Sequence, residues 1–470
     1  MNGLGDNSAC RLLGCTRPIV LAGMGGVARS ELVAAVTAAG GFGFLGMVRE
    51  PPALIESEVR QLRARGIERF GVNIIPAATD AALLAQQVET IIALRVPAVT
   101  LFWDLDARLV GRLRQAGITV VYQVGSADEA VAAERAGAQL IIAQGREAGG
   151  HVRGDTPLQA LLPAVRSAVK VPVLAAGGLS TGGDLVAALA LGAEGIVLGT
   201  ALLAAEESFA HDYHKHRLLA GAPADTLLTD IFHINWPAGA RVRVLSNAVT
   251  VGGRGREVAG VRTAIGDEDG RPIYLFSTDS PLRRTRGDLE SMALYAGTGV
   301  GNVTAIRSAA AIIDGIVAEA EQRLAPARTT ATPSGAELSS SVCYAGEMGG
   351  AYMGLLEEAD AGAEARALAR DITALLGRRG AGRGENAPPF SRQLLNLSPW
   401  LLALSSFAAS GAWPTSSEHA LSLADLPGRI GMLSTRVPDG ALRRTLVGLR
   451  AAVERMLPAE RPEQRRTEEA

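Results

Sequence analysis

The sequence is poor in lysine, cysteine and aromatic residues, and neither sign of charge is in surplus. Only Lys170 and Lys215 are lysines among 46 basic residues, which balance 48 acidic ones for a net charge of −2 at pH 7. Binding to a nucleic-acid backbone needs a basic surplus, so no nucleic-acid partner is expected. With three cysteines, 4% aromatic residues and 48% hydrophobic residues in 470, the chain is neither a small disulfide scaffold nor a disordered one.

Signals for export and membrane insertion are also missing. Residues 1–16 contain no basic stretch followed by a long apolar run, the pattern of a secretory signal. The longest apolar stretches are interrupted by Gly, Arg or Glu before they reach the roughly 18 residues of a membrane-spanning helix. We therefore expect a cytoplasmic protein with no membrane partner, in which Cys10, Cys15 and Cys343 stay reduced.

Short apolar runs alternate with longer helical patterns over the first part of the chain. The runs predict strands at residues 19–21, 42–45, 70–73, 98–102, 119–123, 140–144, 173–176 and 195–198. The segments between them, rich in Ala, Leu, Glu and Arg, predict helices at 30–39, 53–65, 81–95, 106–116, 127–136, 157–169 and 183–191. Eight such units are the number that closes a (β/α)8 TIM barrel. An open doubly wound sheet is the alternative, although it normally has a single glycine-rich turn.

The pattern changes after the eighth predicted strand. Residues from about 225 to 290 are rich in Val and interrupted by Gly, which indicates hairpins or an irregular excursion inserted in a barrel domain of residues 1–325. An Ala- and Ile-rich helix at 302–323 is expected to complete the barrel wall. Residues 326–341 have a linker composition, and 342–458 predict a mainly helical, bundle-like domain. Residues 459–470 are expected to fray.

Glycines follow several predicted strands at the end where a barrel of this kind carries its site. They leave room for a flat ligand close to the backbone, although the same residues also suit ordinary tight turns. Loops after the seventh and eighth strands commonly form a phosphate site in this fold. The residues concerned are Gly23, Met24 and Gly25 after the first strand, Gly177 and Gly178 after the seventh, and Gly199 and Thr200 after the eighth.

Amide side chains end three other predicted strands. Asn73, Gln123 and Gln144 are the last residues of the third, fifth and sixth strands. Together with a phosphate site, they favour a phosphate-bearing cofactor such as FMN. A sugar phosphate suits the phosphate loops equally well, but it does not explain the glycine-lined face after the first strand.

One histidine follows the sixth strand. Gly145 opens this loop, and Gly149 and Gly150 come directly before His151. Imidazole titrates near neutral pH, and two preceding glycines add no bulk around it. We therefore predict that His151 is a general base at the mouth of the barrel.

The remaining histidines are weaker candidates. His211, His214 and His216 lie close together, but without suitably spaced carboxylates they predict no metal site. His233 lies among bulky apolar residues and is expected to pack rather than react.

Five of these segments, in this order, resemble motifs of the nitronate monooxygenases, formerly called 2-nitropropane dioxygenases. They are PIVLAGM at 18–24, AGGFGFL at 39–45, GVN at 71–73, EAGGH at 147–151 and AAGG at 175–178; YAGTGVG at 295–301 resembles the family's closing motif. The likeness covers residues from about 17 to 324. It implies an FMN-dependent barrel, a flavin oxidoreductase that oxidises alkyl nitronates, and nitroalkanes, with O2. The implied products are a carbonyl compound and nitrite, formed without a metal.

The family's pattern assigns roles to single residues. It places His151 near the flavin, where it takes the α-proton of a nitroalkane, and the glycines and amides named above around FMN. The sequence departs from the pattern at Gly23, where Pro is common, and at Thr298, where Gln is common. Val152 also separates His151 from Arg153. These departures concern the substrate pocket rather than flavin binding.

Two alternatives remain open. FMN-dependent enoyl-acyl-carrier-protein reductases share the Gly-Gly-His motif and use a nicotinamide cofactor instead of oxygen. A flavin-binding regulatory module, with the helical tail contacting a partner, is the other. The tail lacks the Glu-x-x-His pairs of a di-iron site, so we expect it to serve packing or to assemble a homo-oligomer. Within the barrel domain, Trp103, Phe232, Trp236 and Tyr274 are the rings expected near the substrate, the last three as an apolar lid.

Overall fold

The computed structural model describes residues 4–255 and 261–325. Along the first part of the chain the strands are β1 (Ile19–Leu21), β2 (Phe42–Gly46), β3 (Gly71–Ile74), β4 (Ala98–Phe102), β5 (Thr119–Val124), β6 (Leu140–Gln144), β7 (Gly150–Val152), β8 (Val173–Ala176) and β9 (Ile196–Leu198). All of these strands except β7 form a closed parallel barrel. Each barrel strand overlaps one that the apolar runs predict, and the bounds are identical or differ by one residue.

The barrel closes between its first and last strands. β1 pairs in parallel with both β2 and β9, and Val20 lies opposite Phe42 on one side and Val197 on the other. This closure confirms the (β/α)8 barrel and removes the open doubly wound sheet, which would leave two strand edges unpaired.

Residues 4–255 and 261–325 contain eleven α-helices, of which those between successive barrel strands cover the outside of the barrel. The eleven helices are α1 (Ser8–Leu13), α2 (Ser30–Ala38), α3 (Pro52–Ala64), α4 (Ala81–Ala93), α5 (Ala107–Gln115), α6 (Ala127–Ala136), α7 (Leu158–Ala168), α8 (Gly182–Ala190), α9 (Thr200–Leu203), α10 (Asp212–Leu219) and α11 (Ala309–Leu324). Local signals set their ends: Asp80, Asp106 and Ser126 accept backbone N–H groups at the starts of α4, α5 and α6. Gly137 ends α6 in the left-handed conformation, at φ 109°.

Alternate strand residues divide between two cores. Phe42, Phe44 and Val121 face the barrel interior, where the two phenylalanine rings meet edge to face at 5.1 Å. Neighbouring strand residues such as Leu45 and Val120 face the surrounding helices. Burying each such large side chain contributes roughly 1.5–3 kcal/mol. Most residues of both cores are aliphatic, which agrees with the low aromatic content.

Helix α1 is an element that the strand and helix pattern did not predict. Ala9 and Leu13 of α1 pack on the interior cluster that contains Phe42. Glu194 fixes the helix, because its carboxylate accepts from the N–H of Ala9 at 2.8 Å and from the hydroxyl of Ser8. Since this contact joins residues 185 positions apart, no local pattern announces it.

The excursion after β9 builds two small sheets. Its strands are β10 (Thr226–Thr229), β11 (Arg241–Leu245), β12 (Ala264–Glu268), β13 (Arg271–Tyr274) and β14 (Arg286–Gly287). One sheet has the order β10-β11-β7 and the other β13-β12-β14. Because β11 pairs with β7, the excursion is joined to the strand that follows the sixth barrel strand.

The last described helix is shorter than predicted. The helix expected at 302–323 begins only at Ala309, because Thr298–Asn302 forms a 3-10 turn within the glycine run and Ser308 caps the helix proper. The predicted linker, bundle-like domain and frayed tail lie outside the described residues. Within residues 4–255 and 261–325, no helix is long and apolar enough to cross a membrane.

Candidate active site

One cavity lies at the C-terminal ends of the barrel strands and brings the predicted site residues together. The predicted residues that line it are Gly23, Met24, Gly25, Asn73, Gln123, Gln144, Gly149, Gly150, His151, Gly177, Gly178, Gly199 and Thr200. Gly145 is the exception. A Cβ at Gly145 would crowd Leu158 and the Glu147 carboxylate, so Gly145 shapes the loop beneath the cavity.

His151 is held by a strand and by a buried amide. It is the middle residue of β7, opposite Val242 of β11. Gln144, 4% exposed, donates from Nε2 to the carbonyl of His151 at 2.8 Å, and its Oε1 accepts from the N–H of Arg153 at 3.2 Å. Gln144 thus fixes the backbone on both sides of Val152, so the inserted valine does not disorder this segment.

Aromatic rings surround the imidazole. The ring of Trp236 stacks on that of His151, with centroids 3.3 Å apart and planes 17° apart. Trp103 lies edge-on at 6.4 Å and Tyr295 is tilted at 5.8 Å. Burial and the positive charge of Arg49 hold the pKa of His151 well below its usual 6.5. The imidazole is therefore neutral at physiological pH, and its buried Nε2 has no partner among the described residues.

The glycine loops after β6, β8 and β9 pack on the 295–301 segment. A Cβ at Gly149 would approach the N–H of Gly297 to 2.5 Å, and one at Gly178 would approach the hydroxyl of Thr298 to 2.7 Å. The hydroxyl of Thr200 accepts from the N–H of Gly297 at 2.9 Å. The 295–301 segment is therefore part of the cavity wall, and its Tyr295 and Gly299 line the cavity.

Asn73 lies at the opposite side of the cavity, at the end of β3. Its Nδ2 donates to the carbonyl of Thr100 at 3.2 Å, while its buried Oδ1 has no donor among the described residues. A Cβ at Gly23 would overlap the Asn73 side chain. Glycine at position 23 therefore lets the asparagine side chain lie against the loop after β1.

Comparisons with known proteins agree with this geometry. The family model for nitronate monooxygenase matches residues 8–319. The chain belongs to the nitronate monooxygenase family. As a member it is an enzyme, a flavin oxidoreductase, and the resemblance inferred from the motifs is confirmed.

Relatives within and around the nitronate monooxygenase family carry different names. A Rhodococcus jostii protein named (3aS,4S,5R,7aS)-5-hydroxy-7a-methyl-1-oxo-octahydro-1H-indene-4-carboxyl-CoA dehydrogenase is 31% identical over 340 residues, 67% of this chain and 95% of that protein. A probable nitronate monooxygenase of Staphylococcus haemolyticus is 30% identical over 271 residues, 48% of this chain and 76% of that protein.

Solved structures that are similar to this chain also carry different names. Nitroalkane oxidase from Streptomyces ansochromogenes aligns with a TM-score of 0.56 and 31% identity, over 67% of this chain and 98% of that one. FabK from Thermotoga maritima aligns with a TM-score of 0.56 and 27% identity, over 67% of this chain and 96% of that one.

In this nitronate monooxygenase family member, the aromatic lid differs from the one expected. Trp236 does line the cavity. Phe232 is instead fully buried in a cluster with Val242, and Tyr274 packs against that cluster. Phe232 and Tyr274 support the excursion, because apolar side chains among Val and Ile residues contribute more stability when buried than at an open mouth.

The sequence did not predict the charged residues of the cavity. Arg49 follows β2, and Asp279 and Glu268 belong to the excursion; all three line the cavity. Nη2 of Arg49 donates to Oδ1 of Asp279 at 3.1 Å. No motif surrounds these residues, and in an arginine-rich chain a single arginine carries no signal.

His214 has a structural role. His214 is fully buried, and its Nε2 lies 3.0 Å from the carbonyl oxygen of Tyr295. Burial lowers its pKa to about 4. Over residues 4–255 and 261–325 no group of three or more His, Cys, Asp or Glu side chains is placed to hold a metal ion.

Proposed function

We propose that this protein binds FMN in the cavity and oxidises alkyl nitronates, and nitroalkanes after deprotonation, with O2 to a carbonyl compound and nitrite. The observation that carries the proposal is His151, a buried neutral imidazole in a glycine-rich cavity whose Nε2 has no partner among the described residues. Such an imidazole is available to accept a proton from a substrate. The nitroalkane oxidase likeness supports the substrate class.

The cavity wall fits a flat ring. A Cβ added at Gly150 would meet nothing within 4 Å, and one added at Gly25 or Gly199 would meet a single atom at 3.9 Å. These positions leave open surface that any side chain would fill. The unpartnered Oδ1 of Asn73 is an acceptor that suits an N–H of a flavin ring, since a buried acceptor without a donor is costly.

The loops after β8 and β9 suit the phosphate. Gly177 and Gly178 adopt φ of 114° and 72°, in the left-handed region that favours glycine, and neither carries a side chain that would keep a phosphate away from the backbone. Thr200 accepts from Gly297 with its oxygen, so its O–H remains available to a phosphate oxygen.

His151 and its neighbours divide the remaining work. His151 takes the α-proton of a neutral nitroalkane, and Gln144 keeps the imidazole in place through the backbone. The rings of Trp236 and Trp103 exclude water from the base. FMN, when bound, supplies the redox chemistry that moves electrons from the substrate to O2.

Product analysis tests the proposal. The purified protein should release FMN on denaturation, and with an alkyl nitronate in air it should consume O2 and form nitrite. A colourless protein that cannot be reconstituted with FMN would contradict the cofactor assignment. Flavin-loaded protein that forms no nitrite from any nitronate would contradict the reaction.

Redox chemistry on an acyl thioester is the second candidate function. The Rhodococcus relative, whose name specifies a carboxyl-CoA substrate, aligns over 95% of its length, whereas the Staphylococcus nitronate monooxygenase aligns over 76%. If the chain acts as an enoyl reductase does, this function requires a nicotinamide cofactor. Flavin reduction by NADH or NADPH, without a nitronate, would favour it.

We also propose a cytoplasmic location and a homo-oligomeric assembly, as the sequence predicts. If residues 342–458, which the sequence predicts to be helical, assemble the oligomer, removal of residues 326–470 should change the oligomeric state. Light scattering of the full chain and of the shortened chain measures this directly.

A further inference from the structure

Arg49 is held at the cavity in a strained backbone conformation. Its φ is 60°, in the left-handed region that is costly for a residue other than glycine. The buried Gln87 donates from Nε2 to the carbonyls of Met47 at 2.9 Å and Glu50 at 2.7 Å, on either side of Arg49. Glu50 also accepts from Arg29 at 3.2 Å. This network fixes the loop so that the Arg49 side chain lines the cavity.

Asp279 holds the guanidinium of Arg49 in place but accepts a hydrogen bond from only one of its nitrogens. Nη2 of Arg49 donates to Oδ1 of Asp279 at 3.1 Å, and Nδ2 of Asn235 lies 3.5 Å from Oδ2. A guanidinium has five N–H donors in a rigid fork. The buried Nε of Arg49 has no acceptor among the described residues, so the ion pair leaves donors of Arg49 unused.

The charge of Arg49 reaches the imidazole. Arg49 is the charged group that, after burial, lowers the pKa of His151. A positive field that disfavours imidazolium at this place favours an anion there. Two other carboxylates at the cavity already have partners of their own: Glu50 pairs with Arg29, and Glu268 accepts from the hydroxyl of Thr285.

We propose that Arg49, positioned by Asp279, binds the O–N–O end of the anionic substrate, so that the cavity selects small planar monoanions. Two parallel N–H donors of a guanidinium match two oxygens of one planar group, as in arginine–carboxylate pairs. The identity of the anion as a nitronate rests on the proposed function, whereas anion binding itself does not.

Equilibrium binding of nitrate tests the proposal without turnover. Nitrate is a planar monoanion with an O–N–O edge and is not a substrate for oxidation by a flavin. Calorimetric titration of the FMN-loaded protein at constant ionic strength should show one saturable site. Arg49→Met should weaken binding at least about tenfold, and Arg49→Lys less, since lysine keeps the charge but not the fork. Arg63→Met is the matched control, because Arg63 donates to the carbonyl of Leu94 and does not line the cavity; it should bind nitrate normally.

Asp279→Asn separates a binding role from a purely structural one. The amide oxygen of the asparagine still accepts from Nη2 of Arg49 and keeps the guanidinium in place, while the competing negative charge is removed, so nitrate should bind about threefold or more tightly. No saturable nitrate binding in the unaltered protein, or equal affinity in Arg49→Met, would overturn the anion site. Weaker binding in Asp279→Asn would overturn it too. Nitronate turnover is measured separately on the same preparations, so its absence beside Arg49-dependent nitrate binding would contradict the oxidation and not the anion site.

Discussion

His151 combines burial with a catalytic position, and this combination sets its chemistry. A base that is needed only to remove a proton matters for a neutral nitroalkane and not for a nitronate that has already lost it. His151→Asn should therefore retain FMN and lose turnover of nitroalkanes by at least about a hundredfold, while turnover of preformed nitronates changes far less. Steady-state kcat/KM for both substrates measures this. An equal loss for the two would contradict the base role.

The ring of Trp236 stacks on His151 and shields the imidazole from solvent. Because burial lowers the pKa of His151 well below 6.5, the imidazole stays neutral as pH falls through 6.5. Nitroalkane turnover should therefore persist there and fall only at lower pH.

Trp236→Leu admits water, so the acid limb of kcat/KM should move up toward pH 6.5, whereas Trp236→Phe should leave it near its original place. The pH profile of nitronate turnover is the control. An acid limb that is the same in Trp236→Leu as in the unaltered protein would contradict the role given to burial.

Strand β2 and the loop after β1 meet at a glycine. A Cβ at Gly46 would overlap the carbonyl oxygen of Met24, and the N–H of Gly46 donates to Ala28 at 2.9 Å. Gly46→Ala should push this loop into the cavity, weaken FMN binding and destabilise the fold by about 1–3 kcal/mol. Gly111→Ala in α5, where a Cβ meets nothing within 4 Å, should be neutral or stabilising. Flavin titration and thermal unfolding of both variants give the comparison; unchanged FMN affinity in Gly46→Ala would contradict the close approach.

Helix α10 contributes a pH dependence of stability through His214. Its pKa is about 4 in the fold and about 6.5 in the unfolded chain. Below pH 6.5 the unfolded state binds the extra proton, so stability is full above pH 6.5 and is lost as pH falls toward 4, by on the order of 3 kcal/mol.

His214→Gln keeps a donor toward Tyr295 but does not titrate in this range. It should flatten the dependence that urea unfolding shows between pH 7 and pH 4.5. His151 contributes with the same sign, so the difference between the variant and the unaltered protein is the quantity to compare. An unchanged slope would contradict a neutral buried His214.

Over the whole molecule, the barrel was predictable because its signals are local. Each strand is a short apolar run, and helix ends such as Ser126 and Gly137 carry their own caps. Closure then follows from the count of units. The glycines and His151 were predictable for the same reason, since a parallel barrel brings the C-terminal ends of all its strands to one face.

The missed features depend on contacts between distant parts of the chain. β7 exists because β11, about 90 residues later, pairs with it, and α1 is held by Glu194. Arg49 meets Asp279 across 230 positions. Such contacts are decided by tertiary packing, and no local pattern of residues encodes them.

Anaerobic mixing tests the central claim most directly. The purified, FMN-loaded protein is mixed without oxygen with a nitronate, and separately with NADH or NADPH, while the flavin absorbance is followed. Our account predicts rapid bleaching by the nitronate and none by either nicotinamide. Bleaching by a nicotinamide with none by the nitronate would contradict it and select the acyl thioester chemistry.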